Sequence, residues 1–279
     1  MIIDFHSHIF PADFRKNREF LLAQDATLAE LYSNPRARMA SAEELVSTMD
    51  SCGIDVAVVV GIGWTDIKMC YLANQYIIES CARFPTRLKG FCSVNPMWGM
   101  DAVAEIARCA DAGLLGIGEL HPDTQGFDLG DRIAMSPVVE IAMERGMPIL
   151  THTSEPVGHE YPGKGRTTPD VVWRFVNNFP DANLICAHWG GGLPFYQLMP
   201  EVANISGNVF FDTAASPLLY SESIFSTVTE IMGSERILFG SDYPLIDQKR
   251  VIQQIVDSDI TDDSKENMLY ANARRLLGI

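Results

Sequence analysis

The chain has 279 residues, 47% of them hydrophobic, which is typical of a globular protein and excludes a largely disordered one. Its formal net charge of −15 disfavours binding to nucleic acid or to an anionic membrane, because both depend on basic surfaces. The first residues lack a signal-peptide pattern and no segment is apolar over about 18 residues, so we expect a soluble, cytoplasmic protein.

Eight short apolar segments recur along the chain. Each is too short for a helix, and its continuous rather than alternating apolarity predicts a parallel strand buried on both faces. The predicted strands are residues 2–5, 55–60, 89–93, 114–119, 148–152, 183–188, 208–212 and 237–241.

Helical patterns separate these strands. The gap between the first two strands is long for a single crossover, and residues 26–34 predict an extra helix within it. Ser41 and Glu44 have the spacing of a capping box, and Gly53 is expected to end the helix that they begin.

Two later helices carry a proline start signal. Ser136 followed by Pro137 predicts one helix start, and Thr168 followed by Pro169 predicts another. Eight alternations of strand and helix favour a (β/α)8 TIM barrel over a doubly wound sheet, whose first strand often precedes a glycine-rich phosphate turn. No repeat or linker interrupts the pattern, so we expect residues 1–279 to form a single domain.

Four histidines lie at the carboxyl ends of predicted strands, where a barrel of this type builds its active site. His6 and His8 stand two residues apart in the first strand, so their side chains project to the same side and can reach one metal ion. His152 ends the fifth strand and His188 the sixth, and Asp242 follows the eighth. The pattern predicts a metal site at the mouth of the barrel.

These residues belong to a wider set of motifs. The motifs are Asp4-Phe5-His6-Ser7-His8, Gly116-Ile117-Gly118-Glu119, His152, Ala187-His188-Trp189-Gly190-Gly191, Gly240-Ser241-Asp242-Tyr243-Pro244 and Asn272-Ala273-Arg274-Arg275-Leu276-Leu277-Gly278. With them the chain resembles the metal-dependent amidohydrolase superfamily, and within it the amidohydrolase-2 group related to aminocarboxymuconate semialdehyde decarboxylase. The resemblance spans residues 4–278.

The resemblance implies roles for the matching residues. His6, His8 and His152 would bind a divalent ion, with zinc as the expected metal. Asp242 would be a further ligand that accepts a proton from the metal-activated water and returns it to the leaving group. His188 would polarise the substrate or carry a proton.

Glu119 and His121 are less constrained. Members with two metals carry a carboxylated lysine or a glutamate at the end of the fourth strand, so Glu119 is expected to bind one ion or to bridge two. The alternative is that Glu119 pairs with a neighbouring cation or accepts a hydrogen bond from His152. His121 is expected to face solvent in a loop, because Pro122 turns the chain.

The loop after the fifth strand is expected to shape the pocket. It carries His159, Tyr161 and Arg166, and basic groups on an acidic protein indicate a small-molecule substrate that bears a carboxylate. Trp189 and Trp64 are expected to form walls of the pocket. The sequence leaves the oligomeric state open, a homo-oligomer included.

Two reaction classes fit these residues. The leading expectation is a metal-dependent hydrolase that directs a metal-activated water at a C–N or C–O bond of a small organic acid. The alternative is a metal-dependent nonoxidative decarboxylase, in which Asp242 and His188 hold the substrate and protonate the carbon that loses carbon dioxide. A barrel that binds metal without catalysis is the least economical alternative, because both of these residues are present.

Overall fold

A computed structural model, which describes residues 1–205 and 207–279, contains eight parallel strands that form a nearly closed barrel with helices between them. Neighbouring strands pair in chain order from the first to the eighth, which confirms the predicted (β/α)8 barrel. The strands are β1 (Ile3–His8), β2 (Val56–Val60), β3 (Leu88–Cys92), β4 (Gly116–Leu120), β5 (Ile149–Thr151), β6 (Leu184–Cys186), β7 (Val209–Asp212) and β8 (Ile237–Leu238).

The helices lie between and after the strands. They are α1 (Ala12–Lys16), α2 (Arg18–Leu22), α3 (Ala26–Tyr32), α4 (Ala42–Cys52), α5 (Ile67–Arg83), α6 (Met100–Asp111), α7 (Pro122–Gln125), α8 (Arg132–Arg145), α9 (Pro169–Asn178), α10 (Pro200–Ile205), α11 (Ser216–Leu219), α12 (Ile224–Met232), α13 (Gln248–Asp257), α14 (Asp262–Glu266) and α15 (Asn272–Leu277). Within the described residues, no helix is both long and apolar enough to cross a membrane.

Both faces of the strands are buried, as their apolarity predicts. Val58 and Leu150 belong to an apolar cluster that is built mainly from alternate strand residues. Val59 and Ile149, their neighbours in sequence, belong to a second cluster that also contains the buried faces of the surrounding helices. The strands therefore separate an inner layer from an outer layer, and the polar side chains at their carboxyl ends gather above the inner one.

The seam between β1 and β8 is closed around one buried carboxylate. Asp4 accepts hydrogen bonds from the backbone N (2.9 Å) and Oγ (2.6 Å) of Ser241 and from Nε2 of Gln248 (2.6 Å). Burial raises the pKa of Asp4, although these hydrogen bonds act in the opposite direction. The backbone N of Asp242 donates to the carbonyl of His6 at 2.9 Å, so the seam places these two residues side by side.

Several predicted helix ends are confirmed. The extra helix is α3, and α9 begins at Pro169. Ser41 and Glu44 form the complete capping box of α4, in which each side chain accepts a hydrogen bond from the other residue's backbone N–H. Gly53 follows the helix with a φ of 70°, the left-handed conformation that glycine adopts at low cost.

The predicted helix start at Ser136 is wrong. Helix α8 begins at Arg132, because the side chain of Asp131 accepts hydrogen bonds from two backbone N–H groups of the first turn. Pro137 therefore lies inside the helix rather than at its start.

Candidate active site

The barrel brings the predicted metal-binding and catalytic side chains together at one end. All of them are buried, none being more than 9% exposed. They are His6 and His8 on β1, Glu119 on β4, His152 directly after β5, His188 after β6 and Asp242 after β8.

The first group of donor atoms lies between β1, β4 and β8. His6 Nε2 is 3.2 Å from His8 Nε2 and 3.5 Å from Glu119 Oε2. His8 Nε2 is 3.8 Å from Glu119 Oε2 and 3.3 Å from Asp242 Oδ1. Ligand atoms of a tetrahedral ion with bonds of about 2.0–2.1 Å lie about 3.3 Å apart, so His6, His8 and Glu119 fit around one metal ion, and Asp242 lies next to this group beside His8.

The second group shares Glu119 with the first. Glu119 Oε1 is 3.1 Å from His152 Nδ1 and 3.7 Å from His188 Nε2. The two imidazole nitrogens are 3.1 Å apart. The two oxygens of Glu119 thus face different pairs of histidines, and both sets have the size of a metal site.

Hydrogen bonds behind the rings fix which nitrogen points into the first group. His6 Nδ1 lies 2.8 Å from Asp212 Oδ2, and His8 Nδ1 lies 3.3 Å from the carbonyl of Val60. Both oxygens only accept, so each Nδ1 carries the hydrogen and a neutral ring presents a bare Nε2. Two nitrogen lone pairs 3.2 Å apart repel each other unless a cation lies between them, so these residues fit a metal ion.

The charges around the cluster favour a cation. Burial lowers the pKa of His6, but Asp212 and Glu119 outweigh it and raise that pKa well above its ordinary value. Burial likewise opposes the charge on His188, but Glu119 and Asp242 raise the pKa of this imidazole to about 9. Burial raises the pKa of Glu119, whereas His6 and other histidines lower it well below its usual range. The site therefore attracts a proton or a metal cation.

A tight turn after β6 aims His188 at the cluster. His188 and Trp189 have φ values of 55° and 58°, a left-handed conformation that costs non-glycine residues about 1–3 kcal/mol each. The backbone N of His188 donates to Asp212 Oδ1 at 2.9 Å, and its Nδ1 donates to the carbonyl of Ala214 at 3.2 Å. These two bonds hold the turn and leave Nε2 facing Glu119.

Asp212 was missed at the sequence level. It ends β7 and joins His6 to the backbone of His188, and both of its carboxylate oxygens are used. The signal was present, because Asp212 is the last residue of a buried apolar strand and Glu119 is the last but one of β4.

The two tryptophans do not line an open pocket. Trp189 is fully buried, donates from Nε1 to Ser216 Oγ at 2.6 Å, and packs against Phe225 with ring centroids 5.3 Å apart. Trp64 is buried against Phe14 at 5.6 Å. Both predicted wall residues are therefore part of the apolar core in this structure.

The expectation that His121 faces solvent is wrong. His121 is only 2% exposed, and its ring stacks on His152 with centroids 4.3 Å apart. Pro122 does turn the chain, but it does so as the first residue of the short helix α7, in which Pro122 and Gln125 are themselves buried. Burial and the neighbouring His152 lower the pKa of His121 to about 3.

The loop after β5 splits into a buried part and an exposed part. Arg166 is exposed and pairs with Asp123 at 3.2 Å, and His159 is exposed as well. Tyr161 is half-buried and donates to Glu155 Oε2 at 2.9 Å, where burial and this carboxylate raise the pKa of the phenol. Of the three predicted substrate-binding residues in this loop, only Tyr161 is turned inward.

The protein has an eight-stranded parallel barrel, and imidazoles and carboxylates gather at the carboxyl ends of its strands. This combination is typical of barrel enzymes that build their active site at that end of the barrel. Within this class, the model of the amidohydrolase family (Amidohydro_2) matches residues 3–279. The chain therefore belongs to the amidohydrolase family, and the protein is an enzyme of the amidohydrolase superfamily.

Named relatives share most of the chain at low identity. The chain is 22% identical over 247 residues to the 2-amino-3-carboxymuconate-6-semialdehyde decarboxylase of Dictyostelium discoideum, covering 76% of this chain and 67% of the relative. It is 21% identical over 249 residues to the gamma-resorcylate decarboxylase of Polaromonas sp. (strain JS666 / ATCC BAA-500), covering 73% and 74%.

A solved structure shares the whole fold. The 5-carboxyvanillate decarboxylase of Novosphingobium aromaticivorans, complexed with manganese and 4-hydroxy-3-methoxy-5-nitrobenzoic acid, superimposes with a TM-score of 0.80 at 17% identity. The match covers 100% of this chain and 96% of that protein.

The prediction of a hydrolase is wrong. The named relatives and this structural neighbour are decarboxylases, and none of the three is named as a hydrolase. The motifs do not distinguish the two reactions, because the same metal ligands serve hydrolysis and decarboxylation. The reactions differ in the substrate that the pocket binds rather than in the residues around the ion.

Proposed function

We propose that this protein is a metal-dependent nonoxidative decarboxylase of a small carboxylate-bearing molecule. The observation that carries the proposal is the buried set of imidazole lone pairs and carboxylate oxygens around Glu119. The names of the curated relatives support the reaction class, and the manganese complex of the structural neighbour supports an aromatic acid as substrate.

The metal would be held by the first group of donors. His6, His8 and Glu119 fit one divalent ion, which Asp242 would reach beside His8, while Glu119 and His152 would take part in a second site. The imidazole-rich donor set favours zinc, and manganese is the alternative that the related structure suggests. When bound, the ion supplies a positive centre that fixes substrate oxygen atoms and stabilises the negative charge that develops as the carboxylate departs.

His188 is the proposed proton donor. Its Nδ1 donates to the carbonyl of Ala214, so the transferable proton lies on Nε2, on the side of the cluster. The neighbouring carboxylates of Glu119 and Asp242 raise its pKa and so favour the protonated ring. When the bond to the carboxylate breaks, the electron pair stays on the substrate carbon, carbon dioxide leaves, and the Nε2 proton forms the new C–H bond.

Asp242 is proposed to act beside His188. Burial raises the pKa of Asp242, but the hydrogen bond with His8 and the surrounding imidazoles lower it, so the carboxylate stays ionised. Its negative charge raises the pKa of His188 and favours the return of a proton from solvent to that ring after turnover.

Turnover in D2O tests the proposed reaction. The metal-loaded protein is supplied with 2,6-dihydroxybenzoate and a panel of related hydroxybenzoic and unsaturated acids. We expect carbon dioxide release and one deuterium on the carbon that carried the carboxylate. Oxygen-18 from solvent entering the organic product would contradict the proposal, because only hydrolysis places a water oxygen there.

A variant identifies the proton donor. His188→Asn keeps the hydrogen bond to Ala214 and removes the Nε2 proton, so kcat should fall by about 10²–10⁴-fold while metal content stays unchanged. Asp111→Asn is the matched control, because Asp111 ends α6 at the opposite end of the barrel and pairs only with Arg145 among the described residues. Undiminished turnover in His188→Asn would exclude His188 as the donor.

A further inference from the structure

His121 is a buried histidine that the reaction proposed above does not use. It follows β4 directly and is 2% exposed. Its ring lies parallel to that of His152, with an interplanar angle of 14° and centroids 4.3 Å apart. A second imidazole therefore stands beside the metal cluster.

The backbone around His121 holds the ring in one position. Its N–H donates to Gln125 Oε1 at 2.8 Å, and Gln125 Nε2 donates to the carbonyls of Trp64 (3.1 Å) and Val94 (2.9 Å). Gly63 packs so closely that a Cβ there would lie 2.5 Å from the backbone N of His121. The residue is thus fixed by three neighbouring segments of the barrel mouth.

A chain of hydroxyl groups determines the tautomer of His121. Thr27 Oγ1 donates to the carbonyl of Gly63 at 2.6 Å, which uses its only hydrogen. The 2.7 Å contact between the two hydroxyl oxygens needs a hydrogen, so Thr124 donates to Thr27 rather than to the carbonyl of His121 at 3.3 Å, which uses the hydrogen of Thr124. His121 Nδ1, 3.0 Å from Thr124 Oγ1, is left as the donor in that contact, so a neutral ring has a bare Nε2.

This Nε2 atom is buried and has no hydrogen-bond partner among the described residues. Gly163 of the loop after β5 lies next to this atom, because a Cβ added at Gly163 would be 3.7 Å from Nε2. A buried acceptor without a donor is destabilising, so the arrangement is suited to a donor that arrives with a ligand.

We propose that His121 is a substrate-binding residue whose Nε2 accepts a hydrogen bond from a hydroxyl or amino group of the substrate. The inference rests on the proposed function, because it takes the carboxylic acid to lie at the neighbouring metal cluster. An acid without this donor leaves Nε2 unpaired and binds more weakly. His121 therefore selects acids that carry a hydroxyl or amino group.

The tautomer is tested without turnover. In the metal-loaded protein with ¹⁵N-labelled histidine, the nitrogen chemical shifts of His121 should show a protonated Nδ1 and an unprotonated Nε2. Addition of 2,6-dihydroxybenzoate should shift the Nε2 resonance toward that of a hydrogen-bonded nitrogen. A protonated Nε2, or an Nε2 resonance that the bound acid leaves unchanged, would overturn the inference.

Kinetics of His121 variants with two matched acids test whether His121 selects acids that carry a hydroxyl or amino group. The substrates are an acid that the wild type decarboxylates and its analogue with the hydroxyl or amino group replaced by hydrogen. His121→Asn removes the Nε2 acceptor and should raise KM about tenfold for the first acid only. His121→Gln places an acceptor near the Nε2 position and should recover most of the loss.

The outcomes separate this inference from the proposed function. Equal losses with both acids in His121→Asn, at unchanged metal content, would show a merely structural role and overturn the inference. A wild type that decarboxylates none of the acids would count against the proposed function, and the nitrogen shifts of His121 would still decide whether Nε2 is an acceptor for a bound acid.

Discussion

Asp212 connects the metal-binding and proton-carrying parts of the site. Its Oδ2 accepts from His6 Nδ1 at 2.8 Å, and its Oδ1 accepts from the backbone N of His188 (2.9 Å) and of Ala214 (3.0 Å). One buried carboxylate thus sets the tautomer of a proposed ligand and holds the turn that aims His188. Partners of this kind raise the basicity of a ligating imidazole.

We predict that Asp212→Asn weakens metal binding by about 10–100-fold. The asparagine Oδ1 can still accept from the backbone N–H groups, but its NH2 group then faces His6 Nδ1 and disfavours the tautomer that frees Nε2. Competition with a chelator measures the affinity, and Asp128→Asn, which affects only surface contacts, is the control. Equal affinity in wild type and Asp212→Asn would show that His6 does not depend on this carboxylate.

Individual site residues could be predicted from the sequence where their spacing within a strand, or their position at the end of one, identified them. His6 and His8 were found because alternate residues of a strand point to one side, and His152 and His188 because they end apolar segments. Asp212 carried only the weaker signal of an acid at a strand end. His121 is buried next to helix α7 and contacts the hydroxyl of Thr124, and neither contact has a local sequence pattern that points to the barrel mouth.

At the scale of elements, apolar segments predicted the strands more accurately than proline predicted the helix starts. Every predicted strand overlaps an observed one, because burial on both faces requires continuous apolar sequence. Helix α8 starts four residues before Ser136, since a side chain that accepts backbone hydrogen bonds determines a helix start more strongly than a proline does. The predicted barrel implies that β1 lies beside β8, but the hydrogen bond from Gln248 to Asp4 at this seam was not predicted, because these two residues meet only through the fold.

The start of α8 gives a stability prediction. Asp131→Ala should lower the free energy of unfolding by about 1 kcal/mol, because two backbone N–H groups lose their acceptor. Ser136→Ala, the control, should change it by less than about 0.5 kcal/mol, since the one hydrogen bond of Ser136 Oγ among the described residues is to the carbonyl of Arg132 within the helix. Urea unfolding measures both, and a larger loss in Ser136→Ala would contradict the observed helix start.

At the scale of the whole molecule, we propose that residues 1–279 form one domain. The second apolar cluster, which includes Val59 and Ile149, contains residues from strands and helices throughout the barrel. Unfolding of one part of the barrel therefore exposes the apolar core of the neighbouring part.

One domain predicts one unfolding transition. Calorimetry should show a single endotherm, which moves to a temperature about 5–15 °C lower after metal removal by a chelator, because the ion binds only the folded cluster. Two separate endotherms in the metal-loaded protein would contradict the proposal of a single domain. Readdition of the metal, which should restore the original transition, controls for irreversible damage by the chelator.

Metal content of the purified protein tests the central claim most directly. Elemental mass spectrometry after reconstitution with zinc or manganese should find at least one divalent ion per chain, and His8→Ala should lose it because His8 lies between Glu119 and Asp242. Two ions per chain, with one lost in Glu119→Gln, would identify Glu119 as a bridge. A wild type that retains no divalent ion under any of these conditions would contradict the account.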